Sequence, residues 1–368
     1  MPAFNFKLLK TDGKARLGEV HTAHGVIRTP AFMPVGTAAT VKGMRPEEVK
    51  ELGADIILGN TYHLFLRPGH DLVEELGGLH KFMNWPGPIL TDSGGYQVFS
   101  LADSRKITEE GVTFQSHIDG DKKTLTPEYS TEIQRALDAT ITMAFDECTP
   151  YPAEVDVAAE SMRMSMRWAK RSRDAFIKRE GYGQFGIMQG GMYPHLREES
   201  MKALEELDFE GYAIGGLAVG EPPEELARMT EICADLMPTN KPRYLMGVGY
   251  PSDIIRSVLA GVDMFDCVLP TRNGRNGQGY TSEGLVKIKL KKFERDPSPL
   301  DPNCECNTCK NYSKSYLRHL YRADEMLGGM LITHHNIHFY QRMMQDLRQA
   351  IADGKLQEVA TEMLKTYR

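Results

Sequence analysis

The sequence predicts an α/β protein, a (β/α)8 TIM barrel with antiparallel strands at its N-terminus and a separate subdomain at its C-terminus. Three observations indicate this fold class. Short apolar stretches alternate with longer segments of helical periodicity, polar residues follow the ends of the apolar stretches, and both patterns stop near Gln278. Such alternation is typical of parallel sheets whose connecting helices cover the faces of the sheet.

The N-terminal segment precedes the alternation. Residues 4–9 and 15–20 read as short strands, and the turn pairs Asp12-Gly13 and His24-Gly25 punctuate them. We expect these strands to form a floor or a lid for the barrel.

Eight strand-like stretches follow, and eight strands close a (β/α)8 barrel. An open, doubly wound sheet is the alternative. The barrel is favoured because polar residues follow the strands, and the C-terminal rim of such barrels holds the active site. The predicted strands are residues 31–35, 55–58, 89–91, 141–145, 185–188, 212–214, 244–246 and 264–267, and the predicted helices are 46–52, 72–76, 127–137, 155–178, 196–207, 223–236 and 251–259.

The composition is that of an ordinary globular protein, with 41% hydrophobic and 26% charged residues among 368. A formal net charge of −6 argues against a wholly basic surface but permits a local basic patch. No apolar run approaches the roughly 18 residues of a membrane span, and no signal-peptide pattern opens the sequence. The six cysteines are too few and too unevenly placed for a disulfide scaffold. We therefore expect a cytoplasmic protein without a membrane partner.

The change at Gln278 predicts two parts: residues 1–277, with the N-terminal strands and a catalytic barrel, and residues 278–368, with a metal-binding subdomain and C-terminal helices. Basic residues are frequent between 272 and 295. Residues 286–291 alternate, so a strand there would direct Val286, Ile288 and Leu290 inward and three lysines outward. A solvated edge strand guarded by lysines is the alternative to a nucleic-acid surface.

A cysteine cluster marks the second part. Cys304, Cys306 and Cys309 place three soft ligands within one tight turn, and the pair His334-His335 could complete a tetrahedron. His338 is also near, so the choice of histidine stays open. A set of four protein ligands predicts a structural Zn²⁺ site, because no coordination position is left for a substrate.

An acidic residue ends the last predicted barrel strand. Asp266 follows an apolar run, and Pro270 and Gly274 predict a loop after it that carries Arg272 and Arg275. We expect the two arginines to lie beside Asp266 and keep it ionised. A purely structural Asp–Arg pair would give the same pattern.

Other polar groups follow the remaining strands. Three carboxylates, an amide and bare peptide groups would together suit a planar polar ligand such as a purine. Tyr96 and Met246 could enclose its ring, although such residues at strand ends more often serve packing, and Asp92 could simply cap a helix. The strand-end residues are Asn60, Asp92, Asp146, Gln189, Gly215, Gly216, Gly247 and Asp266.

The chain resembles the bacterial tRNA-guanine transglycosylases along nearly its whole length. The matching segments are, in order, TDSGGYQVFSL, AFDECTPYP, GIMQGG, AIGGLAVGE, YLMGVG, DMFDCVLPTRNGRNG and CxCxxC with a later His335. The resemblance implies a barrel with a zinc-binding insert that exchanges guanine at the wobble position of GUN-anticodon tRNAs (Asp, Asn, His, Tyr) for 7-aminomethyl-7-deazaguanine. It also implies a covalent enzyme–RNA intermediate, a role in queuosine biosynthesis, one Zn²⁺ per subunit and a homodimer.

The resemblance further implies roles for individual residues. Asp266 would be the nucleophile and Asp92 the general acid and base. The base would be bound by Ser93, Gly94, Gly95, Tyr96, Asp146, Gln189, Gly215, Gly216, Leu217 and Met246. RNA would be contacted by Gly247, Val248, Gly249, Tyr250, Pro251, Ser252, Asp253, Thr271, Arg272, Asn273, Gly274 and Arg275. Zinc would be held by Cys304, Cys306, Cys309 and His335.

Two other functions would use the same residues. A barrel glycosidase could employ Asp92 and Asp266 as its carboxylate pair, but sugar sites favour aromatic platforms and the chain has only two tryptophans. A non-catalytic RNA-binding subunit is the other possibility. The presence of both aspartates and of the complete set of metal ligands argues against it.

Overall fold

The computed structural model describes residues 3–101 and 105–367. In chain order the strands are β1 (Asn5–Asp12), β2 (Ala15–Thr22), β3 (Gly25–Thr29), β4 (Ala31–Pro34), β5 (Ile57–Gly59), β6 (Ile89–Thr91), β7 (Arg105–Thr108), β8 (Gly111–Gln115), β9 (Lys122–Leu125), β10 (Ile141–Met143), β11 (Gly183–Met188), β12 (Gly211–Ile214), β13 (Arg243–Leu245), β14 (Met264–Cys267), β15 (Gln278–Thr281) and β16 (Gly284–Lys287).

Eight of these strands form one parallel sheet in the order β4-β14-β13-β12-β11-β10-β6-β5. Its two edges meet, because a parallel bridge joins Val35 to Leu58 and the Gly36 N–H donates to the Leu58 carbonyl oxygen at 2.6 Å. The sheet is therefore a closed barrel, as predicted, and the open doubly wound alternative is wrong.

The helices are α1 (Pro46–Glu51), α2 (Thr61–Leu66), α3 (His70–Glu75), α4 (Gly78–Phe82), α5 (Gly95–Leu101), α6 (Pro127–Ala136), α7 (Val155–Ala175), α8 (Pro194–Glu206), α9 (Pro223–Leu236), α10 (Pro251–Leu259), α11 (Leu269–Arg275), α12 (Asn307–Asn311), α13 (Lys314–Arg322), α14 (Met326–Asp353) and α15 (Leu356–Thr366). All seven predicted barrel helices are present: α9 and α10 have the predicted bounds, and the bounds of the other five differ by one to three residues. The short helices α2, α4, α5 and α11 and the antiparallel insertion β7–β9 were not predicted.

The antiparallel sheet β1–β3 closes the N-terminal end of the barrel. Val20 and Ile27 of this sheet are completely buried in the cluster that fills the barrel interior, together with strand residues such as Met33, Ile141 and Met264. The expected floor is thus part of the hydrophobic core. At the other end, the carboxyl ends of the strands are left open for a site.

Residues 269–275 form a helix, so the prediction of a loop after Asp266 is wrong. Gly274 causes no break, because its missing side chain allows α11 to pack on α14. A Cβ atom at Gly274 would lie 2.5 Å from Thr333 Oγ1 and 2.7 Å from the Thr333 backbone nitrogen. Close helix packing, rather than a turn, explains this glycine.

The predicted strand over residues 286–291 is also wrong beyond Lys287, where β16 ends. Ile288 is buried and its N–H donates to the Gly277 carbonyl, but Leu290 is 48% exposed and leads into a 3-10 helix, Lys291–Phe293. The chain turns because the Leu290 N–H donates to the Lys287 carbonyl instead of a partner strand. Lys287, Lys289 and Lys291 are exposed, as expected.

The long helix α14 connects the C-terminal part to the barrel. Gln341 Nε2 donates to the Phe32 carbonyl at 3.0 Å and Arg348 Nη1 donates to the Pro30 carbonyl at 2.7 Å. In the described ranges no helix is both long and apolar enough to cross a bilayer.

Candidate active site

A cavity of about 450 Å³ lies at the carboxyl ends of the barrel strands. The structure brings most of the predicted base-binding and catalytic residues to its wall. Those that line it are Asp92, Ser93, Tyr96, Asp146, Gln189, Gly215, Gly216, Leu217, Met246 and Asp266, and Gly247 and Arg272 of the predicted RNA-contacting set line it as well. Gly94 and Gly95 do not line the cavity but shape the turn behind it.

Asp92 is held at the end of β6 by three donors. Asn60 Nδ2 and Gln97 Nε2 donate to Oδ2 at 2.5 and 2.8 Å, and the Thr61 N–H donates to Oδ1 at 2.8 Å. Burial raises the pKa of Asp92 to about 6, these hydrogen bonds oppose the rise, and the nearby charge of Asp266 adds to it. A carboxyl group that titrates near neutrality can give and accept a proton in turn.

Asp266 accepts two hydrogen bonds on one oxygen. The Tyr244 hydroxyl and the Gly247 N–H donate to Oδ1 at 2.5 and 2.8 Å. Among the described residues, none donates to Oδ2, so this oxygen is available to a ligand in the cavity. Burial raises the pKa of Asp266, and both hydrogen bonds work against that rise.

The expectation that arginines keep Asp266 ionised is wrong. In the part of the chain that the structure describes, no ion pair joins Asp266 to Arg272 or Arg275, and both guanidinium groups are exposed. The reason is that residues 269–275 are helical: Pro270 and Gly274 occupy the buried face and the arginines occupy the solvent face. The ionised form of Asp266 is instead favoured by Tyr244 and Gly247.

Asp146 and Gln189 form a polar pair on the cavity wall. Gln189 Nε2 donates to Asp146 Oδ2 and Ser93 Oγ donates to Oδ1, each at 2.8 Å. Burial raises the pKa of Asp146. Gln189 Oε1 is buried and has no hydrogen-bond partner among the described residues. A bound molecule with adjacent donor and acceptor groups would satisfy this pair.

Gly215 and Gly216 lie too close to Gln189 for any side chain. A Cβ atom on Gly215 would lie 2.7 Å from Gln189 Nε2, and one on Gly216 would lie 2.5 Å from Gln189 Oε1. Gly216 also has a φ of +66°, which disfavours other residues. The two glycines therefore expose bare peptide groups to the cavity.

Gly95 is restricted in the same way, since a Cβ there would lie 2.4 Å from the Asp146 carbonyl oxygen. Gly94, with a φ of +83°, makes the turn from β6 into α5. Tyr96, in the first turn of α5, is 50% exposed, and Met246 is half-buried. Both side chains are thus available to a ligand in the cavity.

Several cavity residues received no role from the sequence, among them Tyr244, Gln97 and Cys148. Tyr244 lies inside β13, where the sequence alone indicates only an aromatic residue of the hydrophobic core. Gln97 lies in α5, a helix that the sequence did not predict. Cys148 is buried, and burial raises the pKa of its thiol to about 12. The neutral thiol is a poor nucleophile, so it shapes the wall instead.

The predicted RNA-contacting segments are partly buried. Gly247, Tyr250, Arg272 and Arg275 are exposed, while Asp253 and Asn273 are half-buried. Asn273 Nδ2 donates to the Tyr280 hydroxyl at 2.7 Å. The remaining side chains are buried and support these segments from below, namely Val248, Pro251, Ser252 and Thr271, together with the backbone of Gly249 and Gly274.

Cys304, Cys306, Cys309 and His335 converge on one point, with all ligand atoms within 4.8 Å of one another. His335 Nδ1 lies 3.6, 3.5 and 3.3 Å from the three sulfur atoms. Tetrahedral Zn²⁺ with ordinary bond lengths would separate sulfur and nitrogen by about 3.6 Å. The donor set therefore fits a metal ion, and the fourth ligand atom is Nδ1 of His335 rather than an atom of His334. Its other nitrogen, Nε2, lies 2.7 Å from the Tyr280 carbonyl, which orients the ring.

A second group, His24, His80 and Asp138, also brings three ligand atoms together. Here the two imidazole rings are stacked, with centroids 3.7 Å apart and planes 18° apart. Parallel rings direct their lone pairs into separate planes, and Arg179 already donates to Asp138 at 2.6 Å. This group is explained by its own internal contacts.

Comparisons with known proteins show the family to which the chain belongs. The family model described as Queuine tRNA-ribosyltransferase matches residues 11–368. A queuine tRNA-ribosyltransferase of Rickettsia bellii (strain OSU 85-389) is 61% identical over 355 residues, covering 96% of this chain and 98% of its own. One from Ruegeria sp. (strain TM1040) is 59% identical over 351 residues, covering 95% and 93%. The chain belongs to the queuine tRNA-ribosyltransferase family of pentosyltransferases.

Proposed function

We propose that this enzyme exchanges guanine at the wobble position of GUN-anticodon tRNAs for 7-aminomethyl-7-deazaguanine, a step of queuosine biosynthesis. The observation that carries the proposal is the pair of carboxylates in one cavity with different surroundings. Asp92 is surrounded by donors and burial raises its pKa to about 6, whereas Asp266 has one oxygen to which none of the described residues donates. Such a division of roles suits glycosyl transfer with a covalent intermediate.

In the first half of the proposed reaction, Asp266 Oδ2 attacks ribose C1′ of the wobble nucleotide. The bond from C1′ to guanine N9 breaks and its electron pair leaves with guanine, which Asp92 protonates. In the second half, the incoming base loses its N9 proton to Asp92 and attacks C1′, which breaks the ester to Asp266. The ester between Asp266 and C1′ conserves the energy of the glycosidic bond, so no nucleoside triphosphate is required.

The base would bind by its polar edges. The Asp146 carboxylate accepts from the N1–H and amino group of a guanine-like base, and the Gln189 amide and the Gly216 N–H donate to its carbonyl oxygen. Tyr96 and Met246 would enclose the ring. Leu217 and Val219 line the same cavity, and the aminomethyl group would lie beside them.

The wobble nucleotide has to leave the anticodon stack to reach a cavity at the barrel rim. We propose that the exposed residues Gly247, Tyr250, Arg272 and Arg275 contact the anticodon loop. We further propose a homodimer in the cytoplasm, since the family resemblance implies a dimer and three free thiol ligands suit a reducing compartment.

The metal would be one structural Zn²⁺ per subunit. Thiolate and imidazole ligands favour this ion, and a complete tetrahedral set leaves no position for substrate. When bound, zinc would stabilise the fold around α12 and α14 without entering the reaction.

The direct test is incorporation of radiolabelled guanine into unmodified tRNA by the purified protein, compared between tRNA-Tyr and the same tRNA with its anticodon base G34 replaced by A. We expect incorporation into the first tRNA alone. Label in neither tRNA, or release of free sugar from simple glycosides, would refute the proposal in favour of a binding protein or a glycosidase.

A further inference from the structure

A buried arginine lies beneath the cavity and takes no part in the proposed bond and proton transfers. Arg197, in the first turn of α8, is 0% exposed. A guanidinium group removed from water must place its N–H groups on protein acceptors. In the described residues Arg197 forms no ion pair, and the acceptors that it finds are backbone carbonyl oxygens.

These carbonyl groups belong to two adjacent strand ends. Arg197 Nη1 donates to the Met188 carbonyl at 2.8 Å and to the Gly215 carbonyl at 2.7 Å, and Nε donates to the Gly191 carbonyl at 2.9 Å. Met188 ends β11 directly before Gln189, and Gly215 follows β12 directly before Gly216. One guanidinium group therefore ties together the two backbone segments that carry the proposed carbonyl-binding donors.

The same contact polarises a peptide group. The Gly215 carbonyl and the Gly216 N–H belong to one peptide unit, so a positive charge on the oxygen makes the N–H a stronger donor. Arg197 Nη2 has no hydrogen-bond partner in the part of the chain that the structure describes, and it would lie 3.7 Å from a Cβ atom on Gly216, so the charge is close behind this residue. No acceptor among the described residues receives the Gly216 N–H, and Gly216 lines the cavity.

We propose that Arg197 is a positioning residue that fixes and polarises the Gly215–Gly216 peptide and so sets the affinity for the carbonyl edge of the bound base. This inference rests on the proposed function, in which that edge meets the Gly216 N–H. The selected ligands are purines and 7-deazapurines with an oxo group at C6. A base without this oxygen gains nothing from the polarised donor.

The test compares guanine with 2-aminopurine, which lacks both the C6 oxygen and the N1–H, so each base is judged by how its own affinity changes on substitution of Arg197. Guanine carries the oxygen and 2-aminopurine does not, and their affinities are measured by calorimetry and by 2-aminopurine fluorescence. We expect Arg197→Gln to weaken guanine binding roughly tenfold while 2-aminopurine binding changes less than about twofold. Arg197→Lys keeps the charge but loses the planar guanidinium group that reaches all three carbonyls, so its effect on guanine should be smaller. With saturating guanine, the exchange rate into tRNA should approach that of the wild type.

Arg243 provides the matched control. It is 7% exposed and also donates to carbonyl groups, including that of Met237 at 2.7 Å, but it lies at the first residue of β13, away from the cavity. Arg243→Gln should leave both affinities unchanged. All variants are assayed below the lowest measured melting temperature, and if Arg197→Gln does not fold, Arg197→Lys carries the test.

If a folded Arg197 variant lost affinity for both bases equally, or lost affinity for neither, the inference would be overturned while the proposed function stayed intact. A wild-type protein that neither binds guanine nor transfers it into tRNA would instead refute the proposed function. The two failures are therefore distinguishable by the wild-type measurement alone.

Discussion

The Tyr244 hydroxyl donates a 2.5 Å hydrogen bond to Asp266 Oδ1, and the two residues come from the neighbouring strands β13 and β14. This contact orients the carboxylate so that its other oxygen is left for a ligand. It also supplies the stabilisation that the arginines after β14 do not give. The nucleophile proposed here thus depends on a phenol that lies inside a barrel strand.

Tyr244→Phe should shift the pH dependence of base exchange. Removing a donor to the charged form raises the pKa of Asp266 further, so the carboxylate is protonated and inactive over a wider acidic range. We expect the rate to fall roughly tenfold near pH 6 and less at pH 8. Tyr182→Phe, which removes a hydroxyl bonded to Asp138, is the control. A uniform loss at every pH would contradict the electrostatic explanation.

Asp266→Asn should abolish a denaturation-resistant protein–tRNA adduct while preserving non-covalent tRNA binding, because only the attacking oxygen is replaced. Asp92→Asn should slow turnover, since it removes the group that manages the proton. The measurement is a denaturing gel after incubation with tRNA and a deazaguanine analogue. An adduct that persists in Asp266→Asn but is missing in Asp92→Asn would reverse the two roles.

Asp92 should make the protein less stable as the pH rises. Its folded-state pKa of about 6 lies above the unfolded value of about 3.9, so the folded state binds the extra proton between these values. The contribution of Asp92 to the free energy of unfolding is fully present below about pH 4 and is lost as the pH rises through about 6. Relative to Asp92→Asn, the wild type should lose on the order of 2 kcal/mol between pH 4 and 7.5.

The measurement for Asp92 is urea unfolding of both proteins at several pH values. Asp156→Asn, which replaces an exposed carboxylate at the start of α7, is the control. A constant difference between wild type and Asp92→Asn across this range would show that the folded-state pKa is ordinary.

Cys306→Ala should lose the metal and destabilise the C-terminal part, because three ligands hold zinc far more weakly than four. We expect a melting temperature lower by several degrees, and zinc content near zero by elemental analysis. Cys233→Ala is the control, since this buried thiol lies outside the ligand group. Stoichiometric zinc with unchanged melting in Cys306→Ala would disprove the assignment.

Arg275→Ala should weaken tRNA binding and reduce the slope of log affinity against log salt by about 1, as expected for loss of one phosphate contact. Guanine affinity should be unchanged, because Arg275 does not line the cavity. The control is Arg163→Ala, an exposed arginine paired with Glu199 on α8. Affinity that is insensitive to both salt and Arg275→Ala would rule out this contact.

The sequence predicted the barrel because its signal is periodic and local: each strand is a short apolar run, and each polar residue after it marks the rim. It also predicted three of the four metal ligands from spacing alone, and left the histidine open because His334, His335 and His338 lie on one helix. Only the direction of the side chains on α14 singles out His335.

Contacts between distant segments could not be predicted in this way. Gly274 read as a helix breaker because Thr333, against which it packs, is far away in sequence. The arginines were placed beside Asp266 because proximity in sequence was taken for proximity in space. Tyr244 and Arg197 gave no signal, since an aromatic residue in a strand and an arginine on a helix are unremarkable until their partners are known.

The packing of Gly274 on Thr333 has a consequence for engineering. Thr333 lies two residues before His335, and the same helix, about 42 Å long at 1.5 Å per residue, contacts the first barrel strand farther along. A graft that exchanged the metal-binding segment between relatives would therefore also replace the surface on which α11 is seated. To keep the register of the two arginines, the donor segment should therefore bring its own α11 together with the helix on which α11 packs.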